Sequence, residues 1–424
     1  MDAAATAEFC RPGGALPWMV FARAPEMPYF RGSVAIVFIA IFNSILGLSV
    51  LFPVLGPLGR ELGLSEVQVG TLSTTYALMQ FIVSPVWGRR SERVGRKPIL
   101  LTGVLGFAAS FFAFGLVAEL ALARAIGPML VFPLLVAARA VGGTFSSATL
   151  PTAQAYVADI TGRQDRTSGM AVIGAAFGLG IIFGPAIGAG LARLSLLAPI
   201  YFSAGLAVLN GLFILWRLQE PERRAAAAER QDLSPLAAKA WPLLSVSMAV
   251  SLASVAMEQT IAFYFQDRLR LSAQRTAQAV GIALVCYGIV AVVAQGLLVR
   301  RFRWSPRQLL AGGLPCALTG FAALIFAHEA LGLTVALALS GFGQGLTMPG
   351  VTAAISLTGR DDEQGAIAGL NSSAQALGRL LGPMIGTALY QVRPEYPYAF
   401  SALLLSGVLL VLLTSRRLRG AVKA

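Results

Sequence analysis

The sequence predicts an all-α protein that crosses a lipid bilayer many times. Three observations carry that prediction. Apolar runs of about 20 residues recur along the whole chain, each long enough to span about 30 Å of hydrocarbon. Only 12% of the 424 residues are charged, where an ordinary soluble domain carries about 25%, and the mean hydropathy is +0.72. All but two of the 33 lysines and arginines fall between the runs or near the chain ends.

The elements follow in order. Residues 1–32 read as a cytoplasmic tail. Asp2 and Glu8 precede any basic residue, and no compact apolar core with a small-residue cleavage site follows. Six helices are predicted at 33–55, 68–87, 98–118, 130–157, 168–192 and 198–216, a bundle over 33–216. The stretch RLQEPERRAAAAERQDLSPLAAKAW (217–241) is the one long hydrophilic connection. It is charged, alanine-rich and interrupted by proline, so 217–240 reads as a cytoplasmic linker with some helix. Six further helices at 241–266, 277–299, 308–327, 331–357, 365–390 and 397–415 make a second bundle over 241–416, and 417–424 form a cytoplasmic tail. Strands do not compete, because in hydrocarbon each backbone group is satisfied within its own helix or in a closed barrel.

Charge placement sets the orientation. The chain ends and every second loop hold 24 lysines and arginines, and the opposite loops hold seven. This bias puts both termini on the cytoplasmic side of a cell membrane. It also accounts for the net charge of +13 without a nucleic-acid partner. The three cysteines, Cys10, Cys286 and Cys316, suggest no disulfide framework. The single histidine, His328, lies near a helix end, and metal-ligand spacing is absent. No phosphate-binding glycine loop, nucleophile elbow or zinc motif occurs. The chain is therefore expected to need no metal or cofactor, not to be an enzyme, and to work as a monomer in the bilayer.

The two bundles resemble each other. GIIFGPAIG at 180–188 and GRLLGPMIG at 378–386 share Gly, Gly, Pro, Ile and Gly at a constant offset of 198. Upstream, TLPTAQAYVADITGR (149–163) resembles TMPGVTAAISLTGR (347–360) with one residue of slippage. Two copies of a six-helix unit point to a transporter built from repeats.

GRRSERVGRK (88–97), between helices two and three, packs five basic residues and one glutamate into ten positions. It resembles the signature loop of the major facilitator superfamily, Gly-x-x-x-Asp-Arg-x-Gly-Arg-Lys. The matching residues are Gly88, Arg93, Gly95, Arg96 and Lys97, with Glu92 in place of the aspartate. The resemblance implies a conformational latch. Gly88 lets a neighbouring helix pass, and Glu92 sits near the positive N-terminal end of helix eleven. Arg93 and Arg96 can pair with Asp159 at the end of helix four. GLGIIFGPAIGAG (178–190) is similar to the helix-five signature of the drug:proton antiporter branch, through Gly180, Gly184, Pro185 and Gly188, with Ala189 replacing a last glycine. The proline bends that helix and the glycines allow close packing. AARAVGGTF (137–145) resembles the superfamily's helix-four pattern through Arg139 and Gly143.

Charges at membrane depth are costly and mark function. Three are expected there: Arg139, Arg379 in helix eleven, and Glu258 in SVAMEQTIAFYFQDRL (254–269). If protons are coupled, Glu258 is the leading carrier, with Arg139 beside it in the mechanism. Otherwise Glu258 is a permanent partner of Arg139 or of Arg379, or a water-exposed residue near the outer mouth. Arg379 could instead bind an anionic group. Asn43, Tyr76, Gln80, Gln154, Gln259, Asn371 and Gln375 are candidates for a largely apolar substrate cavity, together with Gln344, Met257, Phe263 and Tyr264.

The resemblance implies a twelve-helix carrier in two pseudo-symmetric six-helix bundles. Its expected activity is export of small amphiphilic molecules in exchange for protons, as in multidrug and tetracycline antiporters. One alternative is a symporter or uniporter importing a metabolite, and another is a receptor or scaffold of the same fold without flux. Helix one carries no acid in FNSILGLSVLFPVLG (42–56), and two arginines face one glutamate inside. Neutral or anionic amphiphiles are therefore expected to be better substrates than cations.

Overall fold

The structure is a computed structural model that describes residues 28–161, 166–221, 234–302, 304–360 and 363–414. The predicted tails up to residue 27 and from 415 on, and linker residues 222–233, lie outside the described residues. All regular structure among the described residues is helical.

Proline and glycine set most of the helix ends. Helix α1 (Pro28–Ser49) stops one turn before Pro53, which has no N–H for the Ser49 carbonyl. Turns lead to the short α2 (Leu55–Glu61). Helix α3 (Glu66–Val94) starts from a capping box between Ser65 and Gln68. Helix α4 (Arg96–Leu122) follows after a single residue, Gly95, at φ 120°. Only glycine adopts that conformation without strain. The stretch 88–97, predicted as a loop, is therefore mostly helix: Arg89, Arg90, Glu92 and Arg93 occupy the last turns of α3.

The predicted fourth helix is two, α5 (Pro128–Ser146) and α6 (Thr149–Ile160). They part at Ser147 and Ala148 because Pro151 leaves the Ser147 carbonyl without a helical donor. Helices α7 (Arg166–Leu191) and α8 (Ala198–Arg217) complete the N-terminal set. Helix α9 (Ser234–Leu269) begins inside the stretch predicted as linker. Helix α10 (Ala273–Val293) runs into a π-helical turn, Ala294–Leu298, and the short α11 (Val299–Phe302). The chain continues as α12 (Pro306–Phe326), α13 (Ala330–Ser356), α14 (Gln364–Val392) and α15 (Tyr396–Thr414).

Among the described residues, nine helical stretches are long and apolar enough to cross a membrane. The other three predicted crossings correspond to α1, whose described apolar part is Ala35–Ser49, and to α3 and α14. Helix α14 is two-faced. Leu377, Leu381 and Met384 are exposed and lie within about 60° of one another on the helical wheel. Ala368, Ser372, Gln375 and Arg379 lie on the opposite side, and all but the half-buried Gln375 are exposed there as well. The apolar face suits lipid and the polar face suits a wet interior. That division lowers the helix's overall hydropathy.

Packing separates the chain into two neighbourhoods. Helix α1 packs on α7 and α8, and α4 on α5 and α8. Helix α9 packs on α14 and α15, and α13 on α10 and α12. The two neighbourhoods meet chiefly where α3 touches α14 and α7 touches α10, with α2 against α9 and α10. Small residues allow each approach. A Cβ added to Gly180 would lie 2.9 Å from Ile45, one on Gly188 would lie 2.5 Å from the Val50 carbonyl, and one on Gly184 would overlap the Ser49 hydroxyl. The repeat copy behaves alike on α9, with Gly378 at 2.7 Å from the Met248 carbonyl, Gly382 at 2.8 Å from Val255 and Gly386 at 2.8 Å from the Ala256 carbonyl. The crossings between neighbourhoods also match. A Cβ on Gly70 would meet the Pro383 carbonyl at 2.9 Å, and one on Gly281 would meet the Pro185 carbonyl at 2.8 Å.

Gly184→Ala should therefore destabilise the protein by about 1–3 kcal/mol through overpacking, seen as a lowered melting temperature in detergent. Gly190→Ala, with nothing within 4 Å of the added carbon, should leave it unchanged. Equal melting temperatures for the two variants would contradict the packing.

Candidate functional site

Three polar groupings stand out: one at each end of the helices and one between them. At the first end, the α3–α4 junction is tied down by side chains from its own neighbourhood. Arg96 Nε donates to Asp159 Oδ2 at 2.8 Å and its Nη1 donates to Ser91 Oγ at 2.6 Å. The Glu220 carboxylate accepts from the backbone N–H groups of Arg96 (2.5 Å) and Lys97 (2.9 Å), which caps α4. A carboxylate there also meets the positive end of the helix. Lys97 Nζ donates to the Leu215 carbonyl at 2.8 Å, and Tyr156 donates to the Gln219 carbonyl at 2.8 Å. The segment leaving α8 is thus pinned under the junction. Glu92 and Arg93 are exposed, and among the described residues neither side chain makes a hydrogen bond or an ion pair. Of the two arginines predicted to reach Asp159, Arg96 does so. Nothing lies within 4 Å of an added carbon at Gly88.

The other end is closed. Arg60, at the tip of α2, donates to Asp267 (2.5 and 2.9 Å), Glu66 (2.8 Å) and Gln266 (3.2 Å). It also lies 4.9 Å from the centre of the Phe263 ring. Tyr390 of α14 donates to the same Asp267 at 2.6 Å. Burial pushes the Arg60 guanidinium down in pKa, but the bonds to Asp267 and Glu66 outweigh it and hold the group above its ordinary value. One cation therefore joins α2 and α3 to α9, and through Asp267 to α14. The glycines report the same asymmetry. Gly70 against α14, and Gly281 and Gly288 against α7, are packed across the boundary, whereas Gly88, Gly296 and Gly369 have open space around them. The neighbourhoods meet at the Arg60 end and splay apart towards Arg96.

Between the ends, Arg139 is 4% exposed, with its guanidinium 4.4 Å from the Tyr76 ring centre and 5.8 Å from that of Phe111. Among the described residues it has no carboxylate partner, and its Nε makes no hydrogen bond. The aromatic faces supply a cation–π contact in place of a counter-ion. Tyr76 and Ser146 share a 2.5 Å hydrogen bond, and Gln80 donates to Ser146 at 2.9 Å. Glu258 of α9 is half-buried and within electrostatic reach of Arg379 of α14 and Tyr287 of α10, with no hydrogen bond or ion pair to either among the described residues. The option that Glu258 partners Arg139 is thus not the one realised.

The remaining candidates scatter. Asn371 is buried, accepting from Ser247 at 2.6 Å and donating to Thr352 at 3.4 Å. Gln344 bonds Ser254. Gln259 and Gln375 are half-buried, and Gln154 is exposed on α6. Asn43 lines a 240 Å³ groove between α1 and α8 with Ile39, Leu209, Asn210 and Phe213, away from Glu258. Met257, Phe263 and Tyr264 are fully buried. Sequence reasoning missed Glu220, Tyr287 and the Arg60 cluster. Arg60 and Asp267 each look like ordinary loop charges until the fold brings them together.

A sequence profile described as the Major Facilitator Superfamily matches residues 37–383 and 275–423. The chain belongs to that superfamily. It is 28% identical over 376 residues to Multidrug resistance protein 1 of Bacillus subtilis (strain 168), covering 86% of this chain and 92% of that protein. It is 31% identical over 363 residues to the class C tetracycline resistance protein of Escherichia coli, covering 81% and 86%. The human organic anion transporter MFSD10 (TETRAN) shares its fold, with a TM-score of 0.63 and 22% identity over 91% of this chain and 100% of that chain. A member of the Major Facilitator Superfamily is a multi-pass membrane carrier for small solutes and not an enzyme.

If Arg60 holds the closed end, Arg60→Ala should raise the labelling of Ala262→Cys, now 1% exposed, by a membrane-impermeant thiol reagent several-fold. The charge exchange Arg60→Asp with Asp267→Arg should restore slow labelling. Labelling unchanged by Arg60→Ala would show that the cluster does not hold the closure.

Proposed function

We propose that this chain is a secondary transporter that exports small amphiphilic molecules from the cell in exchange for protons. It would cross the cell membrane twelve times, in bundles of six helices over 33–216 and 241–416, joined by the 217–240 linker and working as a monomer. The observation that carries the reading is the interior: Glu258 and Arg379 lie on α9 and α14 of one neighbourhood, within electrostatic reach of each other, and the two neighbourhoods are joined at one end and splayed at the other. The repeated Gly-x-x-x-Gly-Pro seams support rocking of two similar bundles. The drug and tetracycline resistance for which the bacterial relatives are named fits export, as does the helix-five motif of Gly180, Gly184, Pro185 and Gly188.

With the basic loops cytoplasmic, the pose is inward-open. Arg60 and its partners close the outer mouth. Gly88, Glu92, Arg93, Gly95, Arg96, Lys97 and Asp159 then form a latch that is released here and engages α14 in the outward-open state. Glu258, half-buried and within reach of protons from water, loads and releases the proton. Arg139 supplies a fixed positive charge. The substrate meets Arg379 and Gln375, with Gln80, Gln154 and Gln259 as further candidates for the wall, the buried Tyr76 and Asn371 supporting it from behind, and Asn43 at the lateral groove.

Glu258→Gln in proteoliposomes should abolish pH-driven export while leaving substrate exchange intact. Undiminished pH-driven export in that variant would remove Glu258 from the mechanism. One observation favours a second reading, cotransport of a proton with an imported metabolite: the neighbour of Glu258 is a cation, which an anionic metabolite could claim.

A further inference from the structure

We infer that a groove at the Arg60 end of the α7–α10 crossing binds an anionic phospholipid, with its phosphate on Arg193 and an acyl chain laid between the two neighbourhoods. The bound lipid holds the Arg60 end closed, a consequence that rests on the reading that this end opens during transport.

The groove has a volume of 290 Å³ and runs between Ala186, Gly190 and Arg193 on one side and Gln278, Ile282 and Cys286 on the other. Two contacts fix the register of its walls. A Cβ on Gly281 would meet Ala189 and, at 2.8 Å, the Pro185 carbonyl, and one on Gly288 would meet Ile182 at 2.8 Å. The two helices are antiparallel, so Arg193 comes level with Gln278, and Ala186 with Val285. From Gln278 to Cys286 the groove is about 12 Å long, at the helical rise of about 1.5 Å per residue. Its polar side chains are thus gathered at one end, and the rest of its length is apolar. Gly190, with nothing within 4 Å of an added carbon, supplies part of the hollow.

The groove opens to lipid and not into the interior. On α7, Gly180, Gly184 and Gly188 pack against α1, and Ala186 and Gly190 lie about 140° round the helix from them. On α10, the carbonyls of Tyr287 and Ala291 meet Gly341 and Gly345 of α13, and Gln278, Ile282 and Val285 lie on the opposite face. Both walls are therefore the flanks turned away from their own bundles. Ile282 is 60% exposed there. An occupant arrives from the bilayer and brings a tail that suits the apolar length.

Charge selects among lipids. Arg193 is exposed at the polar end, and the exposed Arg275 lies one turn before Gln278 on the same flank of α10. Neither has a hydrogen bond or an ion pair among the described residues. No aspartate or glutamate occurs in 166–219 or in 268–328, the stretches that supply both walls. A guanidinium grips a phosphate with two parallel N–H bonds. The second arginine and the lack of acids favour a headgroup of net negative charge over one that also carries a choline. The walls belong to different neighbourhoods, so parting of this end would carry Arg193 away from Gln278 and Arg275. A ligand that binds the joined pose better than the parted one shifts the equilibrium towards it.

The full-length protein in phosphatidylcholine vesicles tests this with two photoreactive lipids that carry the same diazirine acyl chain, one a phosphatidylglycerol and one a phosphatidylcholine. The phosphatidylglycerol probe should mark 186–190 and 282–286 several-fold more than the phosphatidylcholine probe, whereas both should mark Leu403 of α15, 74% exposed, equally. Arg193→Gln should remove the preference, with partial recovery in Arg193→Lys. Gly190→Phe, which fills the groove and leaves both arginines in place, should lower marking there by either probe. Thiol labelling of Ala262→Cys should slow several-fold when phosphatidylglycerol is added, and Arg193→Gln should abolish the slowing. Equal marking by the two probes, or a preference that survives Arg193→Gln, would overturn the site. Displacement of the probe by a transported amphiphile would make the groove a substrate portal and overturn the lipid assignment. Ala262→Cys labelling that is indifferent to phosphatidylglycerol but raised by Arg60→Ala would overturn the hold on closure. Labelling indifferent to both would remove the reading of the Arg60 end on which that hold rests, while preferential marking would leave the lipid site standing.

Discussion

Backbone-to-backbone contact at glycine is the constraint on which the rest of the structure depends. Within a bilayer, lipid tails are as apolar as leucine, so helices gain little from burying apolar surface against each other. What remains is close packing, and that needs small residues at the crossing points. Here the same device recurs four times: α7 on α1, α14 on α9, α3 on α14 and α10 on α7. The first two fix each repeat internally. The last two join the repeats through a glycine set against the carbonyl of a proline residue. Because these joints lie towards the Arg60 end, the helices can diverge at the other end without losing them.

The charged groups depend on this frame. Gly378 and Gly382 press together α14 and α9, the helices that carry Arg379 and Glu258. Gly143 lies against the Tyr76 backbone, which places that ring under the Arg139 guanidinium. The deep charges are thus positioned by backbone contact and aromatic stacking, with little help from direct ion pairs. Close ion pairs occur at the ends, where water screens them: Arg96 with Asp159 at one, Arg60 with Asp267 at the other. Pairs in such surroundings hold geometry more than they add stability.

Much of this was legible in the sequence. Helix positions followed from apolar runs, and the equivalence of the 180–188 and 378–386 seams followed from five residues at one offset. The breaks were legible only in principle. Pro53 and Pro151 were present as signals, but a long apolar run hides an interruption of two to five residues. The helical character of 88–94 was missed because charge was read as loop, although the arginines sit on the end of α3 in this pose. The Arg60 cluster could not be read at all. Its members are separated by about 200 positions in sequence, each is a common loop residue, and only the fold sets them side by side. Asn43 and Asn371 show the converse. Polar side chains at similar depth went to a lateral groove and to an interhelical bridge, because depth does not reveal which way a helix face turns.

Ala189 stands where the resembled helix-five motif ends in glycine, and this looks like a loss of packing. Across the seam, however, the residue opposite Ala189 is Gly281, whose missing side chain leaves room for that methyl group. The vacancy has changed helices without being filled. Steric volume at this crossing is shared property, apportioned between two segments nearly a hundred residues apart. A motif scored along a single helix registers a defect where the pair of helices together retains the fit.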